Sequence, residues 1–156
     1  MFVTAMGNQL EEIFARLRET ADFANTDFSD VNATSSDGDN ALHCVVRWSD
    51  LAAAKALIDA GIDVNKAGDL GYTPLHVACM QGNTDMVKLL IAGGADLFAL
   101  SEGDAPSTAA RLGGHHDICE LLTSLMDEAQ KRDPNVWLRA RIAQLRREIA
   151  SLEKKL

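Results

Sequence analysis

Two histidines and a cysteine, His115, His116 and Cys119, fall within about one turn of a predicted helix and carry nitrogen and sulfur ligands of the kind that zinc prefers. A closed zinc site needs four ligands, and no fourth candidate lies nearby in the sequence. Cys119 also falls at an apolar position of that helix. We therefore predict that these residues bind no metal.

The other reactive side chains do not form a recognisable catalytic motif. Cys44 and Cys79 occupy apolar and small-residue positions, which is typical of buried, unreactive thiols, and neither has an obvious base beside it. No glycine-rich phosphate loop follows a strand, and no Ser/His/Asp or paired-carboxylate motif is present. We predict a protein that is not an enzyme and binds no cofactor.

Composition favours stacked helices over a β-sandwich or barrel. Of the 156 residues, 47% are apolar but only 5% are aromatic. Three cysteines without CxxC spacing indicate a reducing compartment. Met1 to Gly7 has neither the basic nor the apolar segment of a signal peptide, and no membrane span is evident. We expect a cytoplasmic protein.

Charge is divided between an acidic body and a basic tail. Residues 1–130 carry seven Lys and Arg against 20 Asp and Glu, a net charge of -13. Residues 131–156 carry eight against three, a net charge of +5. This division predicts that the body and the tail have different partners or contact each other.

An internal repeat organises most of the chain. Val31-Asn32 recurs as Val64-Asn65, Leu42-His43 as Leu75-His76, and Leu57-Ile58 as Leu90-Ile91, each displaced by 33 residues. A third, weaker copy aligns at an offset of 32, which predicts that one residue is lost in the turn before Gly103. One structural unit is therefore used about three times.

The best copy contains Gly71-Tyr-Thr-Pro-Leu-His-Val-Ala78, and this segment resembles the signature of the ankyrin repeat. Thr73 and Pro74 are typical of a helix start, and Gly82 of a helix end. The resemblance implies an all-α solenoid of helix-turn-helix units with repeats at 31–63, 64–96 and 97–132. Residues 1–30 would form a capping helix and a turn, and residues 133–156 a separate helix.

Both ends of the solenoid have candidate caps. At the front, Asn8 and Glu11 form a candidate capping box for a helix from residue 8 to about 24. Its apolar stripe comprises Leu10, Ile13, Phe14, Leu17 and Ala21. At the back, a helix over Asp117 to Lys131 is longer than a repeat requires and would cover the last repeat.

The resemblance also implies roles for individual residues. His43 and His76 occupy the position at which the family's histidine bonds to nearby backbone and steadies the turn. Partners dock on a concave side formed by the turn tips and the ends of the first helices. That surface maps to Asp37, Asp39, Arg47 and Trp48 in the first repeat, Asp69, Leu70, Tyr72, Met80 and Gln81 in the second, and Glu102, Asp104 and Leu112 in the third.

Two features of this surface have alternative interpretations. Trp48 could anchor a partner or fold over the N-terminal helix. The five tip acids, Asp37, Asp39, Asp69, Glu102 and Asp104, could attract a basic partner or form a solvated rim.

The C-terminal segment has the pattern of a coiled-coil helix. Asp133 and Pro134 predict its start, and Leu138, Ile142, Leu145, Ile149, Leu152 and Leu156 follow at spacings of 4, 3, 4, 3 and 4. The helix could fold back on the repeats, self-associate in an antiparallel or higher arrangement, or pair with a partner helix. A parallel homodimer would oppose like charges, Arg141 to Arg146 and Glu148 to Glu153. Because the same glutamates interrupt the positive face, we predict no membrane or nucleic-acid partner.

These observations predict a protein-protein interaction module, an adaptor or inhibitor that binds a partner with a basic surface. Two alternatives are an assembly module that oligomerises through the C-terminal helix and, by resemblance to bacterial stand-alone ankyrin proteins, an immunity protein that blocks a basic toxin. The basic tail could also lie on the acidic body and compete with the partner.

Overall fold

The computed structural model describes residues 2–156, with side chains from residue 7 onward. Within that range the chain forms eight α-helices: α1 Phe2–Arg18, α2 Ala41–Arg47, α3 Leu51–Asp59, α4 Pro74–Gln81, α5 Thr84–Ala92, α6 Pro106–Leu112, α7 His116–Arg132 and α8 Val136–Glu153. The same residues contain two isolated β-bridges but no strand. The predicted all-α repeat fold is confirmed.

Three helix pairs, α2–α3, α4–α5 and α6–α7, are the repeating units. The first helices pack side by side, with α4 between α2 and α6, and the second helices form another layer in which α3 contacts both α1 and α5. Leu42, Leu75 and Leu90 are fully buried between these layers. Burial of a leucine side chain contributes about 1.5–3 kcal/mol, so these contacts stabilise the stack.

Local sequence explains where the repeat helices begin and end. Thr73 adopts an extended conformation before α4, and Pro74 takes the first helical position, where its missing N–H is not needed. The helix ends at Gly82, whose φ of 73° is left-handed. A Cβ at Gly82 would also lie 2.2 Å from the ring of His115, so any other residue there would displace that ring.

The turn before each first helix differs in length between repeats. In the first two repeats, Ser35 N–H donates to Asp39 O and Gly68 N–H donates to Tyr72 O, each at 2.8 Å. In the third repeat, Ser101 N–H donates to Asp104 O at 2.9 Å. The third turn therefore closes with one residue fewer, which confirms the predicted deletion.

The N-terminal cap differs from the prediction at both ends. Helix α1 begins at Phe2, so Asn8 lies inside it and cannot act as its N-cap. It ends at Arg18, and residues 21–23 form a 3-10 turn in which Ala21 is exposed. A cluster of aromatic rings completes the cap, because Phe14 stacks on Phe28 with ring centroids 4.5 Å apart. Sequence periodicity missed this cluster because Phe28 lies outside any helix.

The last helix begins at Val136, two residues after the predicted start. Asp133 is not helical; its side chain accepts a hydrogen bond from Asn135 N–H at 3.0 Å, which stabilises the turn between α7 and α8. Helix α8 then runs back along the repeats. Gln144 contacts the backbone of Leu100. Of the three predicted arrangements, the single chain adopts the folded-back one.

None of the helices within residues 2–156 combines the length and the apolar character that crossing a membrane requires.

Candidate partner-binding surface

Each repeat histidine connects its own helix start to the next repeat. In α4, Thr73 N–H donates to Nδ1 of His76 at 3.2 Å, so Nε2 carries the ring proton and donates to Asp104 O at 3.1 Å. In α2, His43 accepts from Asn40 N–H at Nδ1, and its Nε2 lies 2.9 Å from Tyr72 O. The predicted structural role of both histidines is confirmed.

Burial keeps both rings neutral. It lowers the pKa of His43 and of His76, and carboxylates and backbone carbonyls nearby offset only part of that effect. A neutral ring is needed at these positions because Nδ1 must keep a lone pair to accept the backbone N–H. The histidines therefore hold the turns in register.

Asp39 is not an exposed tip acid, and the prediction for this residue is wrong. Its side chain is only 7% exposed. Its carboxylate pairs with Arg47 and accepts a hydrogen bond from Asp69 N–H at 2.9 Å. Burial alone would raise the pKa of this carboxyl, but His43, Arg47 and the Asp69 N–H together hold it below its ordinary value. Asp39 therefore joins the first repeat to the second.

The space that Asp39 fills explains the glycine opposite it. A Cβ on Gly68 would lie 1.9 Å from Oδ1 of Asp39 and 2.8 Å from Nε2 of His43. Arg47, which pairs with Asp39, is also tied to the second repeat, because its carbonyl oxygen accepts from Nε2 of Gln81 at 3.0 Å. These two predicted partner-binding residues, Arg47 and Asp39, have structural contacts inside the chain.

Trp48 adopts the second of its two predicted arrangements. The side chain is half-buried against the core, and the guanidinium carbon of Arg16 lies 4.7 Å from the ring centroid. Arg16 also pairs with Asp50 at 2.7 Å, which fixes α1 to the start of α3. Trp48 is therefore part of the N-terminal cap.

We call the predicted residues of the second and third repeats the tip face, and Asp37 lies apart from them on the first turn. The tip face comprises Asp69, Leu70, Tyr72, Met80, Gln81, Glu102, Asp104 and Leu112. Ser101 Oγ donates to Leu70 O at 2.7 Å, so the second and third turn tips are adjacent. The ends of the first helices are also adjacent, because His115 Nε2 lies 3.2 Å from Met80 O. The structure therefore brings together the turn tips of two repeats and, separately, the ends of their first helices.

Three apolar side chains of the tip face are exposed: Leu70 by 61%, Met80 by 46% and Leu112 by 70%. Tyr72 is half-buried, with its ring centroid 5.7 Å from that of His76. Asp69, Glu102 and Asp104 are exposed on the same turns, and Asp37 is exposed on the first turn. The tip face thus combines exposed apolar side chains with an acidic rim.

Leu70 has a backbone conformation that sequence reasoning missed. Its φ is 53°, in the left-handed region, and the matching residue of the third repeat, Glu102, has a φ of 50°. An L-residue in this region costs about 1–2 kcal/mol, whereas glycine adopts it readily. A large apolar residue at this position therefore adds backbone strain without adding to the core.

The cysteines and the candidate metal ligands have structural surroundings. Burial raises the pKa of Cys44 and raises that of Cys79 to about 12, so neither thiol ionises readily. His115 is engaged with the carbonyl of Met80. In the part of the chain with described side chains, no three His, Cys, Asp or Glu groups are arranged to hold a metal ion.

The heptad seam, defined as Leu138, Ile142, Leu145, Ile149, Leu152 and Leu156, lies outside the core. All six side chains are at least 41% exposed. The polar side chains of α8 contact the repeats instead: Arg147 lies 3.5 Å from Asp96, and Lys66 Nζ lies 3.5 Å from Ser151 Oγ. The predicted fold-back therefore occurs with the polar side of the helix inward.

Stacked helix pairs joined by tight turns, with an exposed face across the tips, define a helical repeat protein of the interaction type. The family model for ankyrin repeats, three copies, matches residues 1–101 and 66–136. The chain belongs to the ankyrin-repeat family.

Several curated proteins match parts of this chain. The chain is 41% identical over 68 residues to human protein phosphatase 1 regulatory subunit 27, covering 43% of this chain and 44% of the relative. It is 35% identical over 105 residues to human ARF GTPase-activating protein GIT2, covering 66% of this chain and 14% of that protein. It is 33% identical over 124 residues to neurogenic locus notch homolog protein 1 of Xenopus tropicalis, covering 78% of this chain and 5% of that protein. The chain therefore spans less than half the length of these relatives.

Proposed function

We propose that this chain is a non-enzymatic adaptor or inhibitor that binds a partner protein on the tip face. The observation that carries the proposal is the exposure of Leu70, Met80 and Leu112, three large apolar side chains on the turn tip and the first-helix ends of two neighbouring repeats. Exposed apolar groups rimmed by polar ones mark interaction sites on folded proteins. The name of one relative, a regulatory subunit, supports a binding role for this type of module.

The acidic rim supports a basic partner surface. Asp37, Asp69, Glu102 and Asp104 are exposed, and residues 1–130 carry a net charge of -13. Opposite charge across an interface accelerates association more than it strengthens the complex. We expect the association rate to fall as salt rises, because the Debye length shortens from about 10 Å at 0.1 M to about 3 Å at 1 M.

The tip face can be tested with a matched pair of surface variants. The tip-face variant carries Leu70→Ser, Met80→Ser and Leu112→Ser, and the control carries Lys55→Ser and Lys88→Ser on the second helices, where both lysines are exposed. Both are compared with the unchanged chain in affinity capture from source lysate with quantitative mass spectrometry. Partners of the tip face should be lost with the first variant and kept with the control.

One outcome would contradict the proposal, and one control makes it interpretable. If the unchanged chain and the tip-face variant capture the same proteins in the same amounts, the site is misplaced. Thermal denaturation of both variants keeps the result interpretable, because the substituted side chains are exposed and the melting temperature should change little.

A second function, assembly through α8, is favoured by the exposed heptad seam. Its apolar residues point away from the repeats of their own chain, so a further helix is needed to cover them. Light scattering on the full chain tests this proposal. A monomeric mass at every concentration would exclude it.

Contact between the tail and the acidic rim is confined to the first turn, where Asp37 lines the same cavity as Lys154 and Lys155. The repeat residues that its side chains bond to are Lys66, Asp96 and Leu100, and none belongs to the tip face. We therefore expect removal of residues 133–156 to leave the tip face equally accessible. Tighter partner binding by the truncated chain would contradict this expectation.

We propose that the interaction takes place in the cytoplasm. Cys44 and Cys79 are buried thiols without a disulfide partner, and Cys119 is half-buried. Unpaired cysteines are typical of reducing compartments.

A further inference from the structure

Helix α8 is held to the repeats by hydrogen bonds rather than by apolar packing. Nε2 of the buried Gln144 donates to Leu100 O at 2.6 Å, and Oε1 accepts from Leu100 N–H at 3.0 Å. Seven residues later, Ser151 lies against Lys66 of the second repeat. One heptad of α-helix rises about 10.5 Å, close to the spacing of packed helices. Residues one heptad apart therefore contact successive repeats.

This attachment directs the heptad seam outward. With Ile142 and Ile149 at position a and Leu145 at position d, Gln144 falls at c and Arg147 at f, on the opposite side of the helix. The repeats therefore contact the outer side of α8 and leave the a/d stripe exposed, with Leu152 at the edge of the cavity between α8 and the repeats. An amphipathic helix normally does the reverse.

We propose that a second copy of this chain covers the seam, with the two α8 helices antiparallel and their C-terminal halves overlapping. The proposal rests on the assembly function above and specifies its geometry. The two repeat bodies would lie on opposite sides of the helix pair, because each contacts the outer side of its own α8. Neither body would then obstruct the seam.

Charge beside the seam selects the arrangement. In an antiparallel pair, position e faces e of the other helix and g faces g. When Ile149 packs against Leu152 of the second copy, Arg146 faces Glu153 and Glu148 faces Lys155, so every flanking pair has opposite charges.

The other registers are less favourable. Full overlap, with Ile142 against Leu152, places Arg141 opposite Lys155 and Glu148 opposite Glu148. Displacement toward the N-terminus, with Ile142 against Leu145, places Arg139 opposite Arg146. Like charges at these positions are unfavourable.

Attachment to the repeats compensates for the short overlap. An isolated helix of this length is marginal in water because ordering its backbone is costly. Here α8 is already ordered by Gln144, Arg147 and Ser151. Pre-organisation of this kind lowers the entropic cost of association.

The test uses the full chain and four variants, with the dimer dissociation constant measured by sedimentation equilibrium up to about 100 µM protein. Glu153→Arg creates two like-charged pairs in the proposed register and should weaken the dimer by about tenfold. Arg146→Glu should weaken it similarly. The double variant Arg146→Glu/Glu153→Arg restores both pairs and should return the constant to that of the unchanged chain.

The fourth variant, Arg141→Glu, is the matched control. Arg141 has no partner in the proposed register, so the dissociation constant should not change. A tighter dimer would instead indicate full overlap, where Arg141 faces Lys155. All three substituted positions lie on α8 and outside the core, so circular dichroism should show an unchanged fold.

Three results would overturn the proposal in distinguishable ways. A monomeric unchanged chain at every concentration would refute assembly altogether. A dimer strengthened by Glu153→Arg would refute only the antiparallel geometry, because in a parallel pair that change places a positive charge opposite Glu148. A dimer insensitive to all four variants would show that the copies associate elsewhere.

Discussion

Replacement of Leu70 by glycine should make the protein more stable and its complex weaker. The two effects have separate causes at one residue. The left-handed φ of 53° at Leu70 strains the backbone, while its side chain is 61% exposed and contributes little to the core. A residue that destabilises the fold and is exposed is expected where selection has retained it for binding a partner.

The magnitude follows from two opposing terms. Relief of the left-handed conformation is worth about 1–2 kcal/mol. About 0.5–1 kcal/mol of this gain is offset because glycine makes the unfolded chain more flexible and therefore more favourable. The free energy of unfolding should therefore rise by roughly 0.5–1 kcal/mol, which for a chain of this size raises the melting temperature by about 1–4 °C. Loss of a leucine that is buried in the complex should weaken partner binding by about 1.5–3 kcal/mol.

The matched control is Glu102→Gly. Glu102 has a φ of 50° at the equivalent position of the third turn, so relief of strain should be the same. It carries no apolar side chain, so only the electrostatic contribution to binding should change. Urea denaturation measures the first effect, and titration with a partner captured by the unchanged chain measures the second.

Two results would refute the reasoning. Equal stabilisation by both glycines with unchanged partner affinity for Leu70→Gly would show that Leu70 is outside the interface. If Glu102→Gly raised the free energy of unfolding and Leu70→Gly lowered it, the Leu70 side chain would be shown to stabilise the fold.

Three further predictions concern the stack itself. Gly68→Ala should destabilise the chain by about 1–3 kcal/mol in urea denaturation because its Cβ meets the carboxylate of Asp39 at 1.9 Å, and adding Asp39→Gly should recover part of this loss. Burial lowers the pKa of His43 and of His76, so the unfolded chain binds more protons than the folded chain below the ordinary histidine pKa of 6.5. The melting temperature should therefore fall as the pH drops below that value. A melting temperature that stays constant between pH 7 and about 5 would contradict the neutral-ring assignment. Leu90→Ala in the core should lower the free energy of unfolding by about 2–5 kcal/mol, and a loss below about 1 kcal/mol would show that the second helices are loosely packed.

The repeat architecture was predictable because it depends on short-range chemistry. Thr73-Pro74, Gly82 and the 33-residue recurrence of Leu-His pairs fix helix starts, ends and period within a few residues of themselves. Even the lost residue in the third turn was evident from the offset of 32.

The binding surface was only partly predictable, because exposure depends on neighbours distant in sequence. Leu70, Met80 and Leu112 are exposed as expected. Asp39 occupies the position that corresponds to Tyr72. Its carboxylate is buried because it pairs with Arg47, eight residues later, and because Gly68 of the next repeat leaves space for it. No local pattern marks that pairing.

What the sequence determined by itself is the set of helices, their period and the two apolar stripes of the N- and C-terminal segments, because capping, helical spacing and turn chemistry act between residues a few positions apart. Only the tertiary structure decided which side of α8 meets the repeats. The apolar stripe predicts burial, yet the backbone of Leu100 offers a donor and an acceptor that Gln144 satisfies together, and a pair of polar groups left unbonded at that contact would be costly. That contact, made across 44 residues of chain, turns the heptad seam outward.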